Sequence, residues 1–345
     1  MNATPSQNRD FALVVGIDRY ANSDFLEPLS GPKSDVERFL RWLTSPEGGS
    51  VPETNVTPYM LVSDDQCSKP KWSDVVALFG NLCGLSQGSE ARIGRRLYIF
   101  FAGHGVGPDL DDAALLTVEA NDDLPVYIEG RRYANIFRAR ALFEQVILIM
   151  DCCRDFDGDL PAPMFPFKYR IDAGGAHKVK WFYAYATGFG RAAREKTFGT
   201  EINGIFSHAL IDGLEGAAVD GEGCITGSSL ERYVRKQMKI HLPVGVEQNP
   251  DIRFFPPDFM FADGFAPAMA NVEIEATVPH DKLVVLYGHG FKPVETLPRE
   301  LGGAKFQIAL RVGKTYVFRL FNGEVMVKED GYAIDDTAEV VRVKL

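Results

Sequence analysis

The sequence predicts an α/β protein, a three-layer α/β/α sandwich on a mainly parallel sheet, followed by a smaller β-rich domain. Three observations carry this prediction. Apolar runs that stop abruptly at small or polar residues recur at Phe11 to Ile17, Arg96 to Ala102, Gln145 to Met150 and Trp181 to Ala186. Strands covered on both faces read this way, without polar alternation. Amphipathic segments of helix length lie between them, at Ser34 to Leu43, Ser73 to Leu85 and Asn135 to Phe143. Such alternation implies right-handed crossovers. From about Phe265 the texture changes to short alternating segments, Asn271 to Val278, Lys282 to Tyr287, Phe306 to Val312 and Tyr316 to Phe321, separated by Gly and Pro. That is the pattern of an antiparallel β domain.

Residues 1–264 therefore form the first expected domain and 265–345 the second. Two further helices are expected in the first, from Gly204 to Leu214 and from Ser228 to His241, the latter capped by Ser228 or Ser229. Asp155 to Lys180 is rich in Pro, Gly and charge, and reads as an exposed loop.

Composition narrows the function. The formal charge of -10 over 345 residues disfavours nucleic acid as a partner, because phosphate binding needs clustered Lys and Arg. Met1 to Asp10 lacks a secretory pattern, and no apolar run approaches the roughly 18 residues that span a bilayer. A cytoplasmic protein with no membrane partner is the expectation. Five cysteines, at 67, 83, 152, 153 and 224, read as reduced thiols. Core packing is expected for Cys67, Cys83 and Cys224, with Cys152 a packed neighbour of Cys153.

Two reactive residues close strand-like runs. His104 follows Phe100-Phe101-Ala102-Gly103 and precedes Gly105, and Cys153 follows Ile149-Met150-Asp151-Cys152. In open α/β sheets, ligands bind beyond the carboxyl ends of strands. A thiol with a neighbouring imidazole is a minimal peptidase, since the imidazole takes the thiol proton and returns it to the leaving amine. His104 precedes Cys153 by 49 residues, close to the separation found in caspases.

These residues resemble the caspase and metacaspase clan, particularly its prokaryotic caspase-like members, over roughly residues 11–260. The match rests on Ala102-Gly103-His104-Gly105 and Asp151-Cys152-Cys153. It extends to Val15-Gly16-Ile17-Asp18, Leu29-Ser30-Gly31 with Asp35, Ala186-Thr187-Gly188, Gly204 to Leu210, and Gln248-Asn249-Pro250. The resemblance implies a caspase-like sandwich with a large-subunit part at about 1–155, a linker at 156–180 and a small-subunit part at 181–264. It implies Cys153 as nucleophile, His104 as its partner, and the amides of Gly105 and Cys153 as oxyanion donors. It further implies Asp35 and Asp151 as the S1 pocket for Arg or Lys. Expected partners are protein or peptide substrates with a basic P1 residue and an upstream activating protease or regulator. Ala102 stands where the family often has Ser, and Arg154-Asp155-Phe156 where it has His-Ser-Gly.

Lys168, Arg170, Lys178 and Lys180 lie in the linker as processing sites for an enzyme with this specificity, which implies a zymogen, in a stress or defence setting by analogy with prokaryotic relatives. The bland alternatives are that Asp151 caps a turn, Asp35 stabilises a helix N-terminus, and His208 and His289 are structural. No cofactor is expected. The acidic runs Asp109 to Asp112 and Asp155 to Asp159 could hold calcium, but they lack the EF-hand layout and read as solvated loops. No paired Cys/His spacing suggests zinc, and no other metal site is expected. The competing function is a pseudo-peptidase kept for binding. A nucleotide-binding enzyme lacks its Gly-rich loop here, since Gly16-Ile17-Asp18-Arg19 is not one.

Overall fold

The computed structural model describes residues 9–86, 92–155, 160, 165–168, 170–287, 292–298, 305–335 and 340–345. Along the chain come β1 (Phe11–Gly16), α1 (Pro32–Thr44), β2 (Met60–Val62), α2 (Trp72–Gly84) and β3 (Gly94–Ala102). The short strands β4 (Gly105–Val106), β5 (Ala114–Leu116) and β6 (Tyr127–Glu129) follow, then α3 (Gly130–Ala139), β7 (Phe143–Asp151) and β8 (Lys180–Tyr185). Next are the hairpin β9 (Glu195–Phe198) and β10 (Glu201–Gly204), α4 (Ile205–Asp212), β11 (Ile225–Thr226), α5 (Gly227–His241) and β12 (Asp251–Phe255). The remainder is all strand: β13 (Met260–Ala262), β14 (Met269–Glu275), β15 (Lys282–Tyr287), β16 (Lys292–Pro298), β17 (Lys305–Arg311), β18 (Lys314–Asn322), β19 (Val325–Ile334) and β20 (Val340–Lys344).

The chain divides into two compact units, Met1–Ala217 with Leu230–Phe259, and Ala218–Ser229 with Met260–Leu345. In the first unit a six-stranded sheet runs β12-β8-β7-β3-β1-β2. Its strands are parallel except for β12, which pairs antiparallel with β8. Alternation along β3 assigns the two helical layers. Phe100 stacks on Phe39 of α1 at 4.4 Å. Leu97, Ile99 and Phe101 join the core built with Val75 and Phe79 of α2 and Tyr133 and Phe137 of α3. Both faces of the central strands are thus covered, which is why they read as unbroken apolar runs.

The second unit holds a three-stranded sheet β17-β14-β20, a four-stranded sheet β16-β15-β18-β19 and the pair β11-β13. Val272, Ile274, Leu283, Val285, Phe318 and Leu320 are in its core. Pairing is antiparallel as expected, except that β14 and β20 run parallel.

Several expectations shift. The third helix runs from Gly130 to Ala139, five residues earlier than Asn135, and Phe143 opens β7. Its start is set from a distance: the amides of Arg131 and Arg132 donate to the Asp112 carboxylate at 2.7 and 3.0 Å. Ala141 at φ 49° ends it in the left-handed region, where glycine would have been the usual signal. The cap of α5 is Thr226, not Ser228 or Ser229: Thr226 Oγ1 accepts the Ser229 amide at 3.1 Å and Ser229 Oγ accepts the Thr226 amide at 3.0 Å. The linker is not simply an exposed loop, because Phe165 and Phe167 pack edge-on against Tyr133 at 5.2 and 5.9 Å.

The acidic run is exposed over Asp109 to Asp111, as a solvated loop should be, and it is also hydrogen-bonded. Asp109 accepts two backbone amides, Asp111 pairs with Arg253 and Arg131, and Asp112 is buried. In the second run, residues 156–159 lie outside the described residues, as does His289. Of the three cysteines expected in the core only Cys83 is there; Cys67 and Cys224 are partly exposed in turns. No described helix is long and apolar enough to cross a membrane.

Candidate active site

β3 and β7 are neighbours, and their register pairs Ala102 with Asp151. His104 and Cys153 therefore leave the sheet two residues beyond a shared rung, at the carboxyl ends of its two central strands. Both line one cleft of about 420 Å³, together with Leu29, Asp35, Asp151, Arg194, Glu195 and Gly204.

The His104 imidazole is oriented by a backbone group. Its Nε2 lies 2.8 Å from the Glu27 carbonyl, which can only accept. The neutral ring must carry its proton on Nε2, which leaves Nδ1 as the base. Gly103, at φ 154°, makes the turn from β3 to His104; a Cβ there would meet Tyr20 Oη at 2.8 Å and the Ile17 carbonyl at 2.9 Å.

Cys153 is partly buried. The Ala193 amide donates to its Sγ at 3.2 Å, and no hydrogen bond joins Cys153 to His104 among the described residues. Burial pushes its thiol up, against the opposing Ala193 bond. Cys152 is buried against Gly105, where a Cβ would meet its Cβ at 2.6 Å. The packed-neighbour expectation for Cys152 agrees with this placement.

The Leu116 amide bonds the His104 carbonyl at 3.0 Å. Gly105 and Leu115 are then the non-hydrogen-bonded pair of the β4-β5 ladder, which leaves the Gly105 amide out of that ladder. Among the described residues no acceptor meets the Cys153 amide.

Asp35 and Asp151 come together at the floor of the cleft, both buried. They also hold the N-terminus of α4. Asp35 accepts the Gly204 amide and Asn203 Nδ2 at 3.0 Å, and Asp151 accepts the Ser207 amide at 2.9 Å. Asp35 thus stands in the first turn of α1 and also caps the start of α4. Gly204 has no room for a side chain, since its Cβ would lie 2.1 Å from Asp151. Burial first, then the Asp151 carboxylate, pushes Asp35 well above the usual carboxylate range. Burial raises Asp151 to about 6.

A third carboxylate escaped the sequence reading. Glu195 accepts the amides of Ser30 and Gly31 at 3.1 and 2.8 Å, and it lines the same cleft. It opens β9, a polar strand with no motif to mark it. Arg154, where the resembled family has His, points away from the cleft. It is fully buried and bonds the carbonyls of Asp112, Leu110 and Thr187 and the Asp251 carboxylate. Phe156 lies outside the described residues.

The linker residues Lys168, Arg170, Lys178 and Lys180 are exposed. Lys180 already pairs with Gln145 in the sheet, and Lys178 sits in a helical turn. His208 is structural, stacked on Phe198 at 3.5 Å and bonded to Arg38 at 2.7 Å.

A mainly parallel six-stranded sheet, covered on both faces and with His and Cys closing adjacent strands, decides the fold class. The fold is a three-layer α/β/α sandwich. The chain is similar to a probable protease of a Desulfuromonadales bacterium, 25% identical over 286 residues, or 77% of this chain and 34% of that protein. It spans about a third of that relative's length. It is also similar to caspase-1 of Spodoptera frugiperda, with a TM-score of 0.47 and 14% identity over 72% of this chain and 89% of that one. No family model matches.

Proposed function

We propose that this chain is a cysteine endopeptidase that cleaves after Arg or Lys, with Cys153 as nucleophile and His104 as general base. The observation that carries the reading is one cleft holding both reactive side chains above three carboxylates, Asp35, Asp151 and Glu195.

The substrate carbonyl approaches Cys153, and His104 Nδ1 takes the thiol proton as sulfur attacks. The amides of Gly105 and Cys153 receive the oxyanion. The imidazolium then protonates the leaving amine, and water hydrolyses the acyl-enzyme. Burial that raises the thiol suits deprotonation during attack better than a standing thiolate. Three acidic side chains around one slot favour a cationic side chain, whose charge would draw Asp35 and Asp151 toward their ionised forms, and they offer nothing to an acidic one. Cleavage of peptides bearing Arg, Lys or Asp at P1 tests this, with Arg and Lys cut and Asp refused; cleavage only after Asp would discard the pocket.

The same carboxylates give a pH dependence. Asp151, raised to about 6, is ionised above that pH and protonated below it. Affinity for a guanidinium probe such as agmatine should fall on acidification through pH 6, while a neutral citrulline analogue stays unaffected. Equal weakening of both, measured calorimetrically with Cys153→Ala, would assign the change to general unfolding.

The Ala193 amide on Cys153, with no bond from His104, favours a resting form that a trigger or a linker cut activates. Cleavage after Lys168 or Arg170 suits the accessible part of the linker; cleavage after Lys180 would need β8 to open. An activating protease or regulator, a cytoplasmic setting and a role in bacterial stress or defence complete the reading. Full activity in a protein with all four linker residues replaced, and no cut detected by mass spectrometry, would remove self-processing.

A further inference from the structure

Nothing in the chemistry above explains why a tyrosine hydroxyl lies at the end of β3. Tyr20 is buried, and its Oη accepts the His104 amide at 2.7 Å and donates to the Ile17 carbonyl at 3.2 Å. Its ring lies 5.1 Å from the imidazole, tilted by 53°. Gly103 is the residue that lets the hydroxyl in, because any Cβ there would meet it at 2.8 Å. Burial pushes the phenol far up, so the hydroxyl keeps the proton that it donates to Ile17.

The loop that carries Tyr20 is itself fixed. Its two ends are tied by the Leu29 amide on the Asp18 carbonyl at 2.8 Å, and its middle by the Ala21 amide on the Val118 carbonyl at 2.9 Å. The same loop supplies the Glu27 carbonyl that meets His104 Nε2. One loop thus holds His104 at three points: its peptide amide, one side of its ring, and its distal nitrogen.

We propose that Tyr20 is the positioning residue of the general base, holding the His104 peptide and ring so that Nδ1 faces Cys153 while Glu27 fixes the tautomer. The inference rests on the reading of His104 and Cys153 as a pair. Tyr20 touches neither substrate nor sulfur and acts only through His104. A catalytic pair without a side-chain third member needs its imidazole oriented by something else, and small misplacements of a catalytic group are costly.

The test is Tyr20→Phe, which keeps the ring and removes the bridging oxygen, combined with His104→Ala. The first readout needs no substrate: the rate at which iodoacetamide alkylates Cys153, followed by peptide mass between about pH 6 and 8. His104→Ala should slow it and flatten its pH dependence, and Tyr20→Phe should do the same in part. The double variant should be no slower than His104→Ala alone, because a residue acting through His104 has nothing left to act on. In turnover of an Arg peptide, Tyr20→Phe should lower kcat by about tenfold to a hundredfold with KM little changed. Additive losses, or alkylation by Tyr20→Phe indistinguishable from wild type in a folded protein, would overturn the proposal. Absence of peptide cleavage by the wild type would count against the peptidase reading alone.

Discussion

Cys153→Ala should lose cleavage of a basic-P1 peptide by several orders of magnitude, while Cys152→Ala keeps most of it. Removing a nucleophile from a catalytic unit costs nearly as much as removing the unit, and what survives is binding and oxyanion stabilisation. Cys152 is adjacent in sequence but faces the other way, into the space that Gly105 leaves. Its removal creates a small cavity and no loss of chemistry. Comparable kcat/KM for Cys153→Ala and wild type, or loss in Cys152→Ala with Cys153→Ala active, would reverse the assignment. Equal thermal midpoints for the two variants would show that the contrast is chemical.

Arg154→Met should destabilise the first unit by about 3–5 kcal/mol, or about 10 °C in Tm. The guanidinium is fully buried and bonds four acceptors, with Nε 3.0 Å from the Asp112 carbonyl, Nη2 2.9 Å from the Leu110 carbonyl, and Nη1 3.0 Å from Asp251. It also lies 4.8 Å over the Tyr185 ring. Removing it leaves three carbonyls without this donor, although Asp251 keeps its bonds from Arg253, and unpaired buried acceptors are expensive. Lys in its place brings one point charge to a site shaped for a planar fork, so it should rescue little. Calorimetry or chemical denaturation measures the loss. A Met variant as stable as wild type would mean that these loops hold together without Arg154.

The sequence made the centre of the fold legible because burial on both faces leaves an unmistakable mark. β1, β3, β7 and β8 are apolar at nearly every position, and each fell within about a residue or two of its expected place. Edge and hairpin strands carry no such mark. β12 (Asp251–Phe255) contains Asp and Arg because it pairs on one side only, and β9 and β10 are mainly polar. The start of α3 was hidden for a different reason, since its amides are satisfied by Asp112, almost twenty residues upstream.

The candidate site divides in the same way. His104, Cys153, Asp35 and Asp151 stand in short local patterns, and the fold brings all four to one cleft. The Glu27 carbonyl and the Ala193 amide are backbone groups, which any residue could supply, so no residue type announces them. Glu195 and Tyr20 are ordinary residues until the chain folds Ser30 against one and His104 against the other. Pattern reading finds reactive side chains; it does not find what orients them.

In the proposed mechanism Cys153 attacks a carbonyl whose P1 side chain sits among Asp35, Asp151 and Glu195. An irreversible peptidyl chloromethyl ketone tests both halves in one reaction, followed by mass spectrometry of the labelled peptide. A single adduct on Cys153 is expected from the arginyl reagent, none from the aspartyl reagent, and none in His104→Ala on the same timescale. Labelling of Cys67, Cys83, Cys152 or Cys224 in its place, or faster labelling by the aspartyl reagent, would contradict it.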